Sequence, residues 1–239
     1  MRTVRYGEHA DQVIDLWEPP GSEQRPAAVL VHGGYWRQTY DRSYLVPFAE
    51  HLAAQGIPVA SVEYRRVRGA GGWPGTFDDV AQAVDALPEL LGGRPLVLVG
   101  HSAGGHLALW ASGRHRLPPT SRWHRDSRPQ VAKVLALAPL CDLARAHELG
   151  LSDNAVTELL GARVAERLPE TDPMALLPLD VPVVVLHGDA DVHVPVELAK
   201  RFAEAAGESV RLVVPPGVDH FQFTDPADPV SELVVRELT

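Results

Sequence analysis

The chain has 239 residues, 45% of them hydrophobic and 22% charged, with a formal net charge of -9. That size and balance suit a soluble folded unit with a core and room for a pocket, and the acidity argues against nucleic acid or an anionic membrane as the main partner. The single cysteine, Cys141, excludes an intrachain disulfide, and without an apolar signal core or a membrane-length run the expected location is cytoplasmic.

Taken in chain order, strands are predicted at 12–17, 27–32, 59–64, 96–100, 131–137, 181–186 and 210–214. The last five are near-continuous Val/Leu/Ala runs, as expected of strands buried on both faces of a parallel sheet. Helices are predicted at 44–55, 77–87, 105–114, 194–206 and 229–238. In the second of these Phe77, Val80, Ala81, Val84 and Leu87 repeat at helical spacing along one apolar face. Alternating strands and helices imply parallel strands joined by right-handed crossovers, with a site at the carboxyl ends of the strands. The expected fold class is therefore α/β, a mostly parallel central sheet flanked by helices in one domain, 1–239. Residues 142–179 break the rhythm with helical patterns and prolines, and are expected to form a small cap segment within that domain.

Four segments are candidates for chemistry. The first follows the strand at 27–32 and reads His32-Gly33-Gly34-Tyr35-Trp36. Consecutive glycines there let backbone N–H groups turn inward toward an oxygen that gains charge during acyl transfer. Gly34 and Tyr35 are the expected donors, with Gly33 shaping the turn, and the plainer alternative is an ordinary Gly-Gly turn. The second is the loop 69–75, rich in glycine, which lacks the Lys-Ser/Thr ending of a phosphate loop and reads as a rim loop.

The third is Gly100-His101-Ser102-Ala103-Gly104, set between an apolar strand and a helical stretch. A Gly-x-Ser-x-Gly in that setting is a nucleophile elbow, in which Ser102 is presented above the sheet and the Ala103 N–H joins the oxyanion donors. The fourth is a pair of loops, His187 to Pro195 and Gly217 to Phe221. They supply a carboxylate, Asp191, and a base, His220, in the chain order Ser, Asp, His. Asp189 reads as a turn cap and Asp142 as a weaker candidate for the acid, while His193 at a helix start is expected to face solvent. Tyr35, Trp36 and Trp73 are expected to wall an aromatic or apolar pocket, and Trp110 to belong to the core. The 11 histidines form no ligand spacing: His101 and His106 are five apart, not the four that share a helix face. No metal and no cofactor is implied.

These motifs in this order resemble the α/β-hydrolases along nearly the whole chain. His-Gly-Gly-Tyr-Trp is similar to the oxyanion signature of the kynurenine formamidase (arylformamidase) branch and is related to that of hormone-sensitive-lipase-like esterases. Glu63-Tyr64-Arg65, Trp73-Pro74 and Asp78-Asp79-Val80 resemble the segment that follows the oxyanion loop in these groups, and Gly188-x-x-Asp191-x-x-Val194-Pro195 resembles their acid loop. The resemblance implies a serine hydrolase with Ser102 as nucleophile, Asp191 as acid and His220 as base, acting on a small-molecule ester or N-formyl aryl amide. An aminopeptidase-type hydrolase and a non-catalytic binding protein on the same fold are the rival readings. Arg37, Arg65 or Arg66 would be the groups to hold a substrate carboxylate. Nothing in the sequence specifies an oligomeric state.

Overall fold

Strand order explains where the site must lie. The computed structural model describes residues 1–239. Its strands are β1 (Arg2–Arg5), β2 (Val13–Trp17), β3 (Ala27–Val31), β4 (Val59–Val62), β5 (Leu96–His101), β6 (Val131–Leu137), β7 (Val183–Leu186) and β8 (Val210–Val213). They form one sheet in the order β1-β2-β4-β3-β5-β6-β7-β8. β1 and β2 pair antiparallel, as do β2 and β4, and every later pairing is parallel. The connection from β4 to β5 crosses over β3, so the strand order reverses between β3 and β5. A crevice opens beyond their carboxyl ends at such a reversal.

The central strands bury both faces because their side chains alternate between two cores. Val29, Val31, Leu96, Leu98, Val183 and Val185 join one apolar cluster. Leu30, Val97, Val99, Val184 and Leu186 join the other. Helices α2 (Gly75–Leu90), α3 (Ala103–Ser112) and α7 (Val196–Ala206) cover the first face through Phe77, Leu107, Leu198 and Phe202. Helices α1 (Val46–Ala54) and α8 (Ser231–Leu238) cover the second through Phe48, Leu52, Val234 and Val235. Each of the seven expected strands and five expected helices is present, with ends shifted by a few residues. β1 was not expected. It is a short, largely exposed edge strand carrying Arg2 and Arg5, the charged composition that protects an edge and gives no apolar pattern.

The segment expected as a cap holds three short helices, α4 (Leu143–Glu148), α5 (Leu151–Leu160) and α6 (Val164–Thr171). It packs beside the loops after β3 and β4. The Arg37 guanidinium meets Glu158 and Ser152 of α5, and the Trp73 N–H donates to the Leu159 carbonyl at 2.8 Å. Free Cys141 is buried just ahead of it.

Candidate active site

Because β3 and β5 are hydrogen-bonded neighbours with Val31 opposite Gly100, the His-Gly-Gly-Tyr-Trp loop and the serine elbow emerge side by side. The approach is so close that a Cβ on Gly33 would lie 2.9 Å from the Ser102 Cβ and 2.8 Å from the His101 carbonyl oxygen. Ser102 itself adopts φ 56° and ψ -120° and leads directly into α3, a left-handed conformation that a non-glycine residue enters only under constraint. The flanking glycines supply that constraint. A Cβ at Gly100 would meet the Gly104 carbonyl oxygen at 2.2 Å, and one at Gly104 would meet the Val31 carbonyl oxygen at 2.0 Å.

The N–H groups expected as oxyanion donors sit in the same crowded turn. The Gly33 N–H donates to the Tyr44 hydroxyl at 2.7 Å, whereas neither the Gly34 nor the Tyr35 N–H donates to another protein group. Ala103 opens α3, so its N–H precedes the helical ladder. Gly34 has φ 95°, and Tyr35 and Trp36 follow at φ 50° and 59°, a left-handed run that turns the chain back on itself. Beneath it His32 is buried, stacked on Tyr64 with ring centroids 4.3 Å apart. Its Nε2 donates to Glu63 at 2.9 Å, and the Tyr64 hydroxyl donates to the His32 carbonyl at 2.8 Å. Burial raises the Glu63 carboxyl, but hydrogen bonds from His32 and the Arg42 backbone, with the Arg66 charge, outweigh it and hold the group below its ordinary value.

The side chains expected as acid and base, Asp191 and His220, come from the far side of the sheet. The loop after β7 turns on Asp191, whose Oδ1 accepts the backbone N–H groups of His193 and Val194, both at 2.8 Å. Its Oδ2 accepts from His220 Nδ1 at 2.6 Å. A carboxylate only accepts, so the His220 proton sits on Nδ1 and Nε2 is left free to act as a base. Burial pushes the Asp191 carboxyl up, yet the hydrogen bonds from His187, His220 and Val194 win and hold it well below the usual carboxylate range. The competing acids are engaged elsewhere. Asp189 accepts from the Gly217 N–H at 2.6 Å, which ties its loop to the one that carries His220 and is not a cap within its own turn. Asp142 caps α4 through the Arg145 N–H and pairs with Arg201 at 2.7 Å.

Ser102 and His220 line one cavity of about 290 Å³ with Gly34, Tyr35, Tyr40, Tyr44, His101, His193 and Phe221. The Ser102 hydroxyl makes no hydrogen bond to another protein group in this arrangement, and catalytic hydrogen bonds often tighten only around substrate. Tyr35 spans the mouth, its hydroxyl donating to the His193 carbonyl at 2.6 Å. Burial and the Asp191 charge push its phenol up to about 12, so it stays protonated. Larger cavities lie elsewhere, one lined by Arg94, Arg128 and Asp180 at the opposite end of the strands, but none contains the serine.

Two expectations are corrected here. Trp36 is fully buried and contributes nothing to this cavity, because the left-handed backbone sends its ring inward, where Nε1 donates to His106 Nδ1 at 3.2 Å. Trp73 also stands away from the cavity, under the Arg167 guanidinium at 3.7 Å from its ring centroid. His193 is exposed, as expected of a helix start, but still lines the cavity with its ring 5.3 Å from that of His220. Tyr40, Tyr44, His101 and Phe221 were not singled out. His101 and Phe221 lie inside motifs read for their neighbours, Tyr40 and Tyr44 in none, and only the pairing of β3 with β5 and the return of the His220 loop bring the four together. Trp110 is a core residue, as expected.

The BD-FAE family model matches residues 14–206. The chain belongs to the BD-FAE family. It is thereby an α/β-hydrolase, in agreement with its sheet and motifs. Esterase LipC of Mycobacterium tuberculosis is 28% identical over 95% of this BD-FAE chain, which spans 61% of LipC. A monoacylglycerol lipase of Mycolicibacterium smegmatis is 27% identical over 95% of this chain and 91% of its own. Among solved structures, esterase B of Lactobacillus rhamnosis, inhibited by a tributyrin phosphonate, superposes with a TM-score of 0.83 at 19% identity, covering 99% of this chain and 82% of its own. This last likeness is one of fold.

Proposed function

We propose that the protein is a carboxylic ester hydrolase working through an acyl-enzyme on Ser102. The observation that carries this reading is the 2.6 Å hydrogen bond from His220 Nδ1 to Asp191, made in the wall of the cavity that holds the strained serine. His220 Nε2 takes the Ser102 proton as the hydroxyl attacks the ester carbonyl. The oxyanion rests on the N–H groups of Gly34, Tyr35 and Ala103. His220 then protonates the leaving alcohol while Asp191 stabilises the imidazolium, and water attacks the acyl-enzyme by the same route in reverse. LipC and the Mycolicibacterium lipase, named for ester cleavage, support the reaction class.

The substrate is a small, uncharged ester. A cavity of about 290 Å³ is at the low end for ligand sites, and no Lys or Arg lines it. The arginines considered for a substrate carboxylate are occupied: Arg37 by Glu158, Arg65 by Asp79 and Arg66 by Glu63. That counts against an amino-acid head group such as the one on N-formylkynurenine, and puts the arylformamidase reading behind the ester one. Domain 1–239 is taken as one catalytic unit, with 142–179 buttressing the loops after β3 and β4.

The deciding experiment compares kcat/KM on p-nitrophenyl acetate and on N-formylkynurenine, with Ser102→Ala as control. The expected value is about 10⁴ M⁻¹s⁻¹ or more on the ester, within the ordinary enzyme range, and at least tenfold less on the formamide. Preference for the formamide would move the protein to the arylformamidase reading. Unchanged ester turnover by Ser102→Ala would remove the mechanism.

A further inference from the structure

Between the oxyanion loop and the base loop runs a chain of hydrogen bonds whose direction is set at both ends. At one end the Gly33 N–H can only donate, and it meets the Tyr44 hydroxyl oxygen at 2.7 Å. At the other end the His220 carbonyl can only accept, and it meets His101 Nε2 at 2.9 Å. Nε2 therefore carries the ring proton and Nδ1 is an acceptor. Nδ1 lies 2.9 Å from the Tyr44 hydroxyl, so the single phenolic proton goes to it. Every group in the chain is then satisfied once, in one polarity. Burial, reinforced by the neighbouring His220, lowers the His101 ring to about 3 and burial raises the Tyr44 phenol, so neither changes charge near neutral pH.

The sheet makes such a tie necessary. His220 follows β8, which lies three strands from β5 in the sheet order, about 14 Å at the usual strand spacing. The loop must reach back over β7 and β6 to bring its imidazole to Ser102. Asp191 holds the His220 ring, but its backbone is anchored to the elbow through His101, the residue just before the serine. The same ring is fastened through Tyr44 to the glycine at the foot of the oxyanion loop. The His101 and His220 ring centroids lie 4.8 Å apart.

We propose that Tyr44 and His101 are positioning residues whose hydrogen-bonded tie sets the spacing of oxyanion loop, nucleophile and base together. This rests on the serine-hydrolase reading above. It goes further by assigning a role in turnover to two residues outside the Ser102, Asp191 and His220 set. The tie touches no reacting atom, so its loss should act chiefly on the rate of the chemical steps, with a smaller effect on KM because Tyr44 and His101 also line the cavity.

The test uses Tyr44→Phe and His101→Leu, with p-nitrophenyl acetate as substrate. Active sites are counted by fluorophosphonate labelling carried to completion, and folding is followed by thermal melting. Tyr44→Phe, which keeps the ring and removes the bridging oxygen, is expected to lower kcat per titrated site by about 10- to 100-fold with KM within about threefold. His101→Leu should fall at least as far, and the double variant no further than His101→Leu, because both break one chain. A wild-type kcat per titrated site in a folded Tyr44→Phe or His101→Leu overturns the proposal, since a purely structural role would lower the melting temperature or the number of sites only. Additive losses in the double variant also overturn it. Full turnover by Ser102→Ala would instead sink the underlying serine mechanism, so the two failures are distinguishable.

Discussion

A serine held at φ 56° carries about 1–3 kcal/mol of backbone strain and persists only where its surroundings over-determine it. Here the surroundings are the carbonyl oxygens of Gly104 and Val31, which leave no space for a Cβ at Gly100 or Gly104. The result is a hydroxyl at the start of α3, with the unpaired N–H groups of Gly34 and Tyr35 in the neighbouring loop. From that geometry Ser102→Ala and His220→Ala should each lower kcat by roughly 10⁴-fold or more, with the double variant little worse than either. Asp191→Asn should cost about 10³–10⁴-fold, because the amide no longer holds the imidazole tautomer. Asp189→Asn and Asp142→Asn should stay close to wild type. Stopped or initial-rate assays on a p-nitrophenyl ester check all five, and a dead Asp189→Asn with an active Asp191→Asn would reassign the acid. At this scale the sequence was informative about identity and order, and silent about direction. Trp36 and Trp73 were expected at the pocket because they neighbour its loops, but side-chain direction through a left-handed turn follows no period that a sequence displays.

The element that governs the site most is the turn after β3, and it stands on a buried polar base. Glu63, at the end of β4, accepts from His32, from the backbone N–H of Arg42 and from that of Tyr64, and pairs with Arg66 at 2.8 Å. Removing it leaves the buried His32 Nε2 without its acceptor and the buried Arg66 guanidinium with Asp11, at 3.1 Å, as its remaining counter-charge. Glu63→Ala is therefore expected to destabilise the fold by about 3–5 kcal/mol, as breaking a buried ion pair commonly does, and to lower turnover by loosening the oxyanion loop. Urea unfolding and ester hydrolysis read the two effects, and a loss under about 1 kcal/mol would contradict this account of the turn's support. The resemblance of Glu63-Tyr64-Arg65 and Asp78-Asp79-Val80 to known segments now has a physical basis. Glu63 and Tyr64 hold His32, and Arg65 forks onto the fully buried Asp79 at 2.6 and 2.8 Å. The strands themselves were legible because burial on both faces writes a continuous apolar run. β1 was not, because an exposed edge strand is held by pairing with β2 and buries little of its own.

Across the whole molecule two imidazoles are stored uncharged, and this sets a pH limit. Burial, with the neighbouring His220, pushes the His101 ring down to about 3, and burial pushes the His106 ring down to about 4. Both lie below the ordinary histidine value near 6.5. The unfolded chain therefore binds protons at these positions at a higher pH than the folded chain does. Their contribution to stability is full above pH 6.5 or so and is lost as the pH falls toward 4 and then 3. Urea midpoints measured from pH 8 to pH 4 should fall across that window, above the range where ordinary carboxylates titrate. His106→Gln should flatten the slope, and a midpoint independent of pH between 6.5 and 4 would refute the linkage. No helix of the fold is long and apolar enough to cross a membrane.

The sequence by itself determined the class of sheet, the glycine-rich turns after β3 and β5, and the order of Ser102, Asp191 and His220 along the chain. Each of these is a local matter: an apolar period, a glycine where no Cβ fits, a carboxylate or imidazole at a strand's end. Only the tertiary structure decided which carboxylate reaches His220, which rings face the serine, and how His220, three strands away, returns to Ser102. Those depend on the pairing of β3 with β5 and on the return of the loop after β8, contacts between residues far apart in the chain that no short pattern records.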